Sequence, residues 1–453
     1  MMKTRHTLYL LTALLMAGCQ KDFLDQKPDK ALLVPATTAD LRALLDNINV
    51  FNQSPGLTTL ADGDLVATAA GWNNYPNLQE RTSYTWSADI FGTESGFDWN
   101  RMYQQVFYAN IVLDGLSRLD AGPENRELRG RALFYRAWAF YSLAQMFARP
   151  YSAATANSDA GIPLKLTPVV TEQAGRGTVA ETYAQVLRDL SAARGLLPLE
   201  VSYKSHPSRE ALYGMLSRVC LSMGDYPAAG KYADSCIRLR PTLTDYNTLS
   251  TTAQRPFPAA LPNGNPEVIF YSGALGYNYS SSSSPTYLAP EFYALFGAAD
   301  LRKLIFFRQV TPGNYKFKGN YSGSFAYFSG IAADEAYLTR AECAARAGDK
   351  AAALADLNAL LVKRYKTGQF TAVTAADAES ALRLVLLERR KELTMRGTRW
   401  TDLRRLNGDA RFAVTLTRTL NGETYALAPD SKRYTYPIPP DELKLNSLPQ
   451  NER

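Results

Sequence analysis

Histidine and cysteine are scarce in this sequence, and their scarcity limits the chemistry that the protein can perform. Only two histidines and four cysteines occur among the 453 residues. None of them stands at the spacing of a zinc motif, so the sequence predicts no metal site. His206 lies in a Lys-Ser-His-Pro segment, where we expect a solvated side chain rather than a ligand or a general base.

Long hydrophobic runs are also lacking, with one exception at the N-terminus. The basic start MMKTRH precedes an apolar run at 8–16, and Ala17, Gly18 and Cys19 follow it. This order is typical of a lipoprotein signal peptide, and the run is far shorter than the roughly 20 residues of a transmembrane helix. We predict a signal peptide at 1–18, lipid attachment at Cys19 and a tether at 19–37.

The three other cysteines, Cys220, Cys236 and Cys343, stand at apolar positions of predicted helices. We expect three buried thiols, because free cysteine behaves as a small hydrophobic residue. A disulfide between Cys220 and Cys236 is the alternative in an exported protein.

Charge and catalytic motifs exclude two further classes of function. The formal net charge is a modest +7, and the one basic run, at 388–392, is bracketed by acids, which argues against nucleic-acid binding. The sequence has no nucleophile elbow, phosphate-binding glycine loop or dinucleotide fingerprint, so we predict no enzyme and no cofactor.

We expect Asp62 and Asp64 to be solvated carboxylates of a turn. The charges at 388–405 could bind an anion, but their alternating signs favour internal ion pairs and carbonyl contacts.

A helical hairpin is the clearest pattern that is present. Residues 208–241 predict two antiparallel helices joined at Gly224-Asp225, with Ser208 capping the first helix. The pattern recurs 124 positions later, where Gly348-Asp349 takes the place of Gly224-Asp225. Its length and repetition are typical of a tetratricopeptide unit, and such units stack into curved scaffolds.

We therefore predict an all-α fold of tetratricopeptide-like hairpins with long irregular loops and a few short strands. One domain is expected at 38–453, with hairpin units near 97–150, 178–241 and 333–365 and loop-rich insertions at 52–96 and 242–330. A capping box at Thr178 opens one helix, and a Thr374–Asp377 capping pattern predicts a late helix at 375–395.

The two insertions are rich in aromatic residues beside glycine and serine. Rings can stack on flat ligands while small polar groups hydrogen-bond to the ligand edges. We predict that rings from both insertions converge at one end of the scaffold and bind a ligand, namely Trp72, Tyr75, Tyr277, Tyr279 and Tyr287. Tyr84 and Trp86 are expected to fill the core from a short strand. The alternatives are loops without a ligand, or a site in the segment 315–327.

Four segments resemble the SusD/RagB family of surface lipoproteins, which serve nutrient uptake across the outer membrane. They are CQKDFLDQKP from Cys19, LRGRALFYRAWAFYSLAQMFARPY at 128–151, ERRKELTMRGTRWTDLRRLN at 388–407 and YPIPPDELKLNSLPQN at 436–451. Trp99, Tyr103 and Asn110 also fit the first helix of that family.

The resemblance implies an all-α platform that is anchored in the outer membrane through Cys19, with a SusC-like TonB-dependent barrel as its partner. Family members capture oligosaccharides, or peptides in the RagB branch, and pass them to the barrel. The matching motifs are structural, so they assign no ligand residues. Oligosaccharide capture is the preferred function, and a peptide-capturing lid or a structural scaffold without a ligand is the alternative. Exposed coplanar rings would favour sugar, and a cleft without a stacking platform would favour peptide.

Overall fold

The computed structural model describes residues 35–453, so Cys19, the predicted signal peptide and most of the predicted tether lie outside the described residues. The described chain is mainly helical with a few short strands, which confirms the predicted fold class. The expected division into signal peptide, tether and one domain stays a prediction. The α-helices are α1 (Thr38–Leu45), α2 (Ile48–Phe51), α3 (Leu57–Ala61), α4 (Ala69–Asn73), α5 (Leu78–Tyr84), α6 (Phe97–Leu116), α7 (Pro123–Phe147), α8 (Val179–Ala193), α9 (Arg209–Ser222), α10 (Tyr226–Leu239), α11 (Pro290–Tyr293), α12 (Arg302–Ile305), α13 (Ala333–Arg346), α14 (Lys350–Leu361), α15 (Ala378–Glu392), α16 (Thr398–Leu406) and α17 (Pro440–Leu445).

The strands are short and pair two by two. They are β1 (Gln53–Ser54), β2 (Leu65–Ala67), β3 (Val268–Phe270), β4 (Gly273–Ala274), β5 (Thr286–Leu288), β6 (Phe307–Thr311), β7 (Asn314–Phe317), β8 (Ile331–Ala332), β9 (Leu416–Leu420) and β10 (Glu423–Leu427). β1 runs parallel to β4, and the other pairs, β2–β5, β3–β8, β6–β7 and β9–β10, are antiparallel.

The long helices form one stacked array. α7 packs between α6 and α8, α9 packs on α10, and α13 packs on α10, α14 and α15. α10 and α13 are neighbours in this array although residues 240–332 separate them in the chain. The second insertion therefore leaves the scaffold between two stacked hairpins and returns to the same place.

The turns of the two hairpins match each other in detail. Gly224 and Gly348 have φ angles of +76° and +87°, in the left-handed region that a glycine adopts without a steric penalty. The side chains of Asp225 and Asp349 then cap the following helices, accepting from backbone N–H groups at 3.1 and 2.9 Å. The predicted repeat of the hairpin is confirmed.

Helix caps follow the predictions in two cases and depart from them in a third. Ser208 accepts the N–H of Ala211, and Thr178 forms the predicted capping box. The late helix α15 begins at Ala378 and ends at Glu392, so the predicted limits of 375 and 395 were wrong. Asp377 rather than Thr374 is the cap, because its carboxylate accepts the N–H of Ser380 at 2.7 Å.

The first insertion contains more helix than its sequence indicated. α3, α4 and α5 lie within it, and each is too short for its apolar residues to show a helical period. Tyr84 is the last residue of α5, so the predicted strand was wrong, although Tyr84 and Trp86 are both buried as expected. Because β1 and β2 pair with β4 and β5, the two insertions do meet.

Two expectations, about cysteine and about charge, are confirmed by the core. Cys220, Cys236 and Cys343 are buried free thiols. The basic residues at 388–405 form internal contacts: Arg389 pairs with Asp402, Arg405 with Glu342, and Arg404 donates to backbone carbonyls of 144–148.

Two other expectations about polar residues were wrong. Asp62 and Asp64 are buried within the first insertion rather than solvated, and Asp64 pairs with Arg390. Burial and the neighbouring Asp64 raise the pKa of Asp62 well above its usual range. His206 is partly buried and lies 3.1 Å from Asp46, and burial together with Arg131 lowers the pKa of His206 to about 4.

No helix within residues 35–453 has the length and the apolar composition to cross a membrane.

Candidate functional site

A cleft of about 250 Å³ lies in the second insertion, and we call it the insertion cleft. Strands β5, β6 and β7, the serines at 280–282 and the loop at 318–327 form its walls. Apart from Leu65, its lining residues all come from the segment 254–327. The helical array thus supports the site without lining it.

The structure places three of the five predicted ring residues in the core. Tyr75 is 1% exposed, and its hydroxyl lies 2.6 Å from Oγ1 of Thr286. Tyr277 and Tyr279 are buried, and the Tyr279 hydroxyl donates to the carbonyl of Gly56 at 2.7 Å. These three rings are covered because the two insertions pack against each other and the rings fill the joint between them.

The other two predicted residues keep some access to solvent. Tyr287 is half-buried on β5 and lines the insertion cleft, and the covered Tyr279 reaches the same wall. Trp72 is half-buried, donates its indole N–H to the carbonyl of Arg81 at 2.9 Å and does not line the cleft. Ligand binding by these residues stays a prediction.

The cleft has further aromatic residues that the ring prediction did not include. Phe317, Phe325 and Tyr327 all line it. Phe325 is 68% exposed, with the guanidinium of Arg255 4.7 Å from its ring centroid. Tyr327 packs edge-on against Phe317 with ring centroids 5.7 Å apart. Phe325 lies in the segment 315–327, the alternative site, and Tyr287 lies on β5. Both therefore offer accessible ring surface beside serine hydroxyls.

Three cationic side chains, Arg308, Lys316 and Lys318, line the same cleft. The ammonium of Lys316 donates to the carbonyls of Ser282 and Ser284 and lies 5.5 Å from the ring centroid of Tyr287. These contacts fix Lys316 beside the ring that the sequence singled out.

Lys318, two residues further along the chain, is held in the same way. Its side chain is buried, and its ammonium donates to the carbonyls of Thr251 and Ala253 at 2.7 and 2.9 Å. An ammonium has three N–H donors, so each lysine retains one beyond these two contacts.

The carboxylates of the described residues do not balance the positive charge of the cleft. Burial, followed by the charge of Arg308, lowers the pKa of Lys316 and Lys318. Among the carboxylates of residues 35–453, none forms an ion pair with any of the three cations, and no carboxylate lines the cleft. A sequence signal for this existed: the segment 301–333 contains five Lys and Arg residues and no Asp or Glu.

Asn320 adds an unsatisfied polar group. It lines the cleft and is 6% exposed, and its Oδ1 accepts no hydrogen bond from any described residue. A buried amide oxygen without a donor costs free energy, which a hydroxyl or water in the cleft would recover.

A cluster of carboxylates elsewhere has its charge already compensated. Oxygens of Glu267, Asp334 and Glu392 lie within 4.8 Å of one another. Arginines 364, 302 and 396 donate to them at 2.6–3.0 Å, so guanidinium groups supply the positive charge that a metal ion would bring. A larger hollow of about 510 Å³, near 149–152 and 404–409, is likewise lined by paired charges such as Arg405 with Glu342 and Asp409 with Arg411.

Solved structures with the same fold come from Bacteroides species. A SusD superfamily protein from Bacteroides thetaiotaomicron has a TM-score of 0.75 and 20% identity, covering 92% of this chain and 100% of that chain. A SusD superfamily protein from Bacteroides fragilis has a TM-score of 0.73 and 20% identity, covering 91% and 99%. A SusD-like carbohydrate binding protein from Bacteroides vulgatus has a TM-score of 0.70 and 20% identity, covering 91% and 97%. At these identities the likeness shows the fold.

The sequence comparisons identify the family. No curated protein matches this chain. A family profile described as starch-binding associating with outer membrane matches residues 22–221, and the profile of the SusD family matches residues 333–452. These matches include the segments at 128–151, 388–407 and 436–451 on which the resemblance was based. The chain belongs to the SusD/RagB family.

Proposed function

We propose that this protein captures oligosaccharides at the cell surface and delivers them to a SusC-like TonB-dependent barrel in the outer membrane. The observation that carries the proposal is the insertion cleft, where accessible rings of Tyr287 and Phe325 stand beside serine hydroxyls. The faces of a pyranose ring carry C–H bonds that pack on aromatic rings, and its rim carries hydroxyls that need hydrogen-bond partners.

Capture without catalysis is the chemistry that this cleft supports. Its polar groups are hydroxyls, amides and cations, and no carboxylate lines it. Hydrolysis of a glycosidic bond usually needs two carboxyl groups, one acting as an acid and the other as a base or nucleophile. The description of the matching family profile, starch-binding associating with outer membrane, supports the same assignment, and we infer a binding protein rather than an enzyme.

The test is binding of a panel of oligosaccharides to the purified soluble domain, followed by calorimetry with those that bind. We expect Tyr287→Ala and Phe325→Ala each to weaken binding about three- to tenfold, as the loss of one stacking contact would. Tyr203→Ala is the matched control, because Tyr203 is 55% exposed and lies outside the cleft.

Delivery to a barrel needs a separate measurement. We expect the native protein, isolated from membranes, to co-purify with a TonB-dependent barrel. Unchanged affinity in both ring variants would locate the site elsewhere, with Trp72 as the next residue to test. Absence of binding to every oligosaccharide in the panel would contradict capture of sugar.

A further inference from the structure

We propose that the insertion cleft selects acidic oligosaccharides, with a carboxylate or sulfate group of the sugar bound by Arg308, Lys316 and Lys318. This inference rests on the proposed function and specifies the chemical class of its ligand. It follows from the positive charge and the hydrogen-bonding groups of the cleft. A neutral sugar would leave that positive charge without an opposing charge.

The three cations are held together although they repel one another. Lys316 and Lys318 are fixed by backbone carbonyls of two different segments, 282–284 and 251–253, and the charge of Arg308 acts on both. Arg308 itself makes no side-chain hydrogen bond or ion pair with any described residue, whereas the arginines of the buried networks do. Its guanidinium is therefore available to an anion, for which it offers a planar pair of N–H donors.

The cleft lacks the groups that normally neutralise such a cluster. Elsewhere in the described chain, buried arginines such as Arg364 and Arg302 are paired with carboxylates at 2.6–3.0 Å. A bound anion would relieve the repulsion and take up the remaining N–H donor of each lysine. Positive charge without a partner, in a cleft walled by protein, is typical of a site for an anionic ligand.

The neighbouring groups favour a sugar as the carrier of that anion. The ammonium of Lys316 lies 5.5 Å from the ring centroid of Tyr287, so an anion near Lys316 places the attached ring beside Tyr287. Oδ1 of Asn320 is a free acceptor for a sugar hydroxyl. A uronic acid and a sulfated sugar each carry a ring with C–H faces, donor hydroxyls and an anionic group in one sugar residue.

The experiment measures binding by calorimetry to two matched pairs of probes. One pair is tetragalacturonic acid and its methyl ester, which keeps the sugar rings and removes the charge. The other is a chondroitin sulfate tetrasaccharide and its desulfated form, which separates a sulfate from a carboxylate. Hexaglutamate tests an acidic peptide in place of a sugar.

The variants are Arg308→Gln and Lys316→Gln, with Arg129→Gln and Lys231→Gln as matched controls at exposed positions outside the cleft. We expect at least one acidic probe to bind about tenfold or more tightly than the partner from which its carboxylate charge or its sulfate groups have been removed, and Arg308→Gln to abolish that preference. Binding of the acidic probe should weaken as the salt concentration rises, because salt screens the charges. Thermal unfolding of Arg308→Gln should match the wild type, since Arg308 makes no side-chain hydrogen bond that the substitution removes.

The outcomes separate this inference from the proposed function. Equal binding of the two members of each pair, with no effect of Arg308→Gln, would overturn the acidic preference and leave sugar capture intact. Binding of neutral members of the oligosaccharide panel alone would do the same. Binding of hexaglutamate but of no oligosaccharide would overturn both proposals and assign the cleft to peptide.

Discussion

Asp98 is a buried carboxyl group that forms no ion pair with any cation of residues 35–453, and its surroundings determine how stability changes with pH. It lies in the first turn of α6 and accepts the N–H groups of Gly56 and Leu57 at 3.1 and 3.2 Å. Burial raises the pKa of Asp98 to about 6, and the two backbone hydrogen bonds oppose this rise only in part.

The raised pKa of Asp98 means that the folded protein keeps a proton that the unfolded chain has already lost. The stabilisation from Asp98 is complete below pH 3.8 and is lost as the pH rises through about 6. We expect Asp98→Asn to gain roughly 2–3 kcal/mol relative to the wild type between pH 4 and pH 7, because one pKa unit corresponds to about 1.4 kcal/mol. The measurement is the free energy of unfolding by urea across that range, with Asp120→Asn as the control at an exposed position. Parallel stability curves for wild type and Asp98→Asn would contradict the prediction.

At the scale of single elements, the prediction concerns the turns of the helical hairpins. A Cβ atom at Gly224 would meet no atom within 4 Å, so only the backbone opposes a larger residue there. With φ at +76°, Gly224→Val should cost about 1–2 kcal/mol or more, since a side chain is disfavoured in the left-handed region and a β-branched one most of all. Denaturant unfolding of the soluble domain measures this cost.

Two further glycines serve as controls for Gly224. Gly348 has the same role and a φ of +87°, so Gly348→Val should lose a similar amount. Gly175 also has open space around it and has no left-handed φ, so Gly175→Val should leave stability nearly unchanged. If Gly224→Val were as stable as Gly175→Val, the turn would not need its left-handed backbone.

Arg364 joins elements that are distant in the chain. It follows α14 and is fully buried, and it donates to Glu392 at the end of α15 and to Glu267 in the second insertion, at 2.7 and 2.6 Å. Arg364→Met should destabilise the fold by about 3–5 kcal/mol, because it leaves the buried Glu267 without its cation, while Glu392 keeps its pair with Arg302. Arg383→Met is the control: Arg383 pairs with Glu379 at the surface, where such a pair is worth about 1 kcal/mol or less. Similar losses of unfolding free energy in both variants would show that the buried pairs do not hold the insertion to the array.

At the scale of the whole molecule, the insertions and the helical array form one connected body. Strand pairs join the two insertions to each other, and buried ion pairs such as Arg364 with Glu267 join the second insertion to the helices. The hairpins therefore position the cleft, while residues between hairpins line it.

The predicted anchor also concerns the whole molecule. We expect Cys19→Ser to leave a folded protein that is released from the outer membrane, because acyl chains contribute about 0.8 kcal/mol per buried methylene to membrane binding. Cell fractionation of the variant, in a strain that lacks the partner barrel, measures this release. Retention in the membrane fraction of that strain would reveal a second anchor.

Sequence alone was sufficient for the features that depend on neighbours in the chain. The hairpin turns at Gly224 and Gly348, the cap at Ser208 and the capping box at Thr178 each depend on contacts within a few residues. The apolar face of each long helix also repeats at a spacing that the sequence displays directly. For the same reason the fold class and the family could be inferred before any coordinates.

The candidate site was decided by tertiary structure, because its properties depend on residues far apart in the chain. Tyr75 is buried where β5 brings Thr286 to it, and Tyr279 is buried where its hydroxyl reaches the carbonyl of Gly56. Lys318 becomes part of a charged cleft because carbonyls near residue 251 hold it there. A ring or a lysine in a glycine- and serine-rich segment has the same local sequence whether it is covered or free. Burial is set by which distant segment packs on it, and this packing is decided only when the chain has folded.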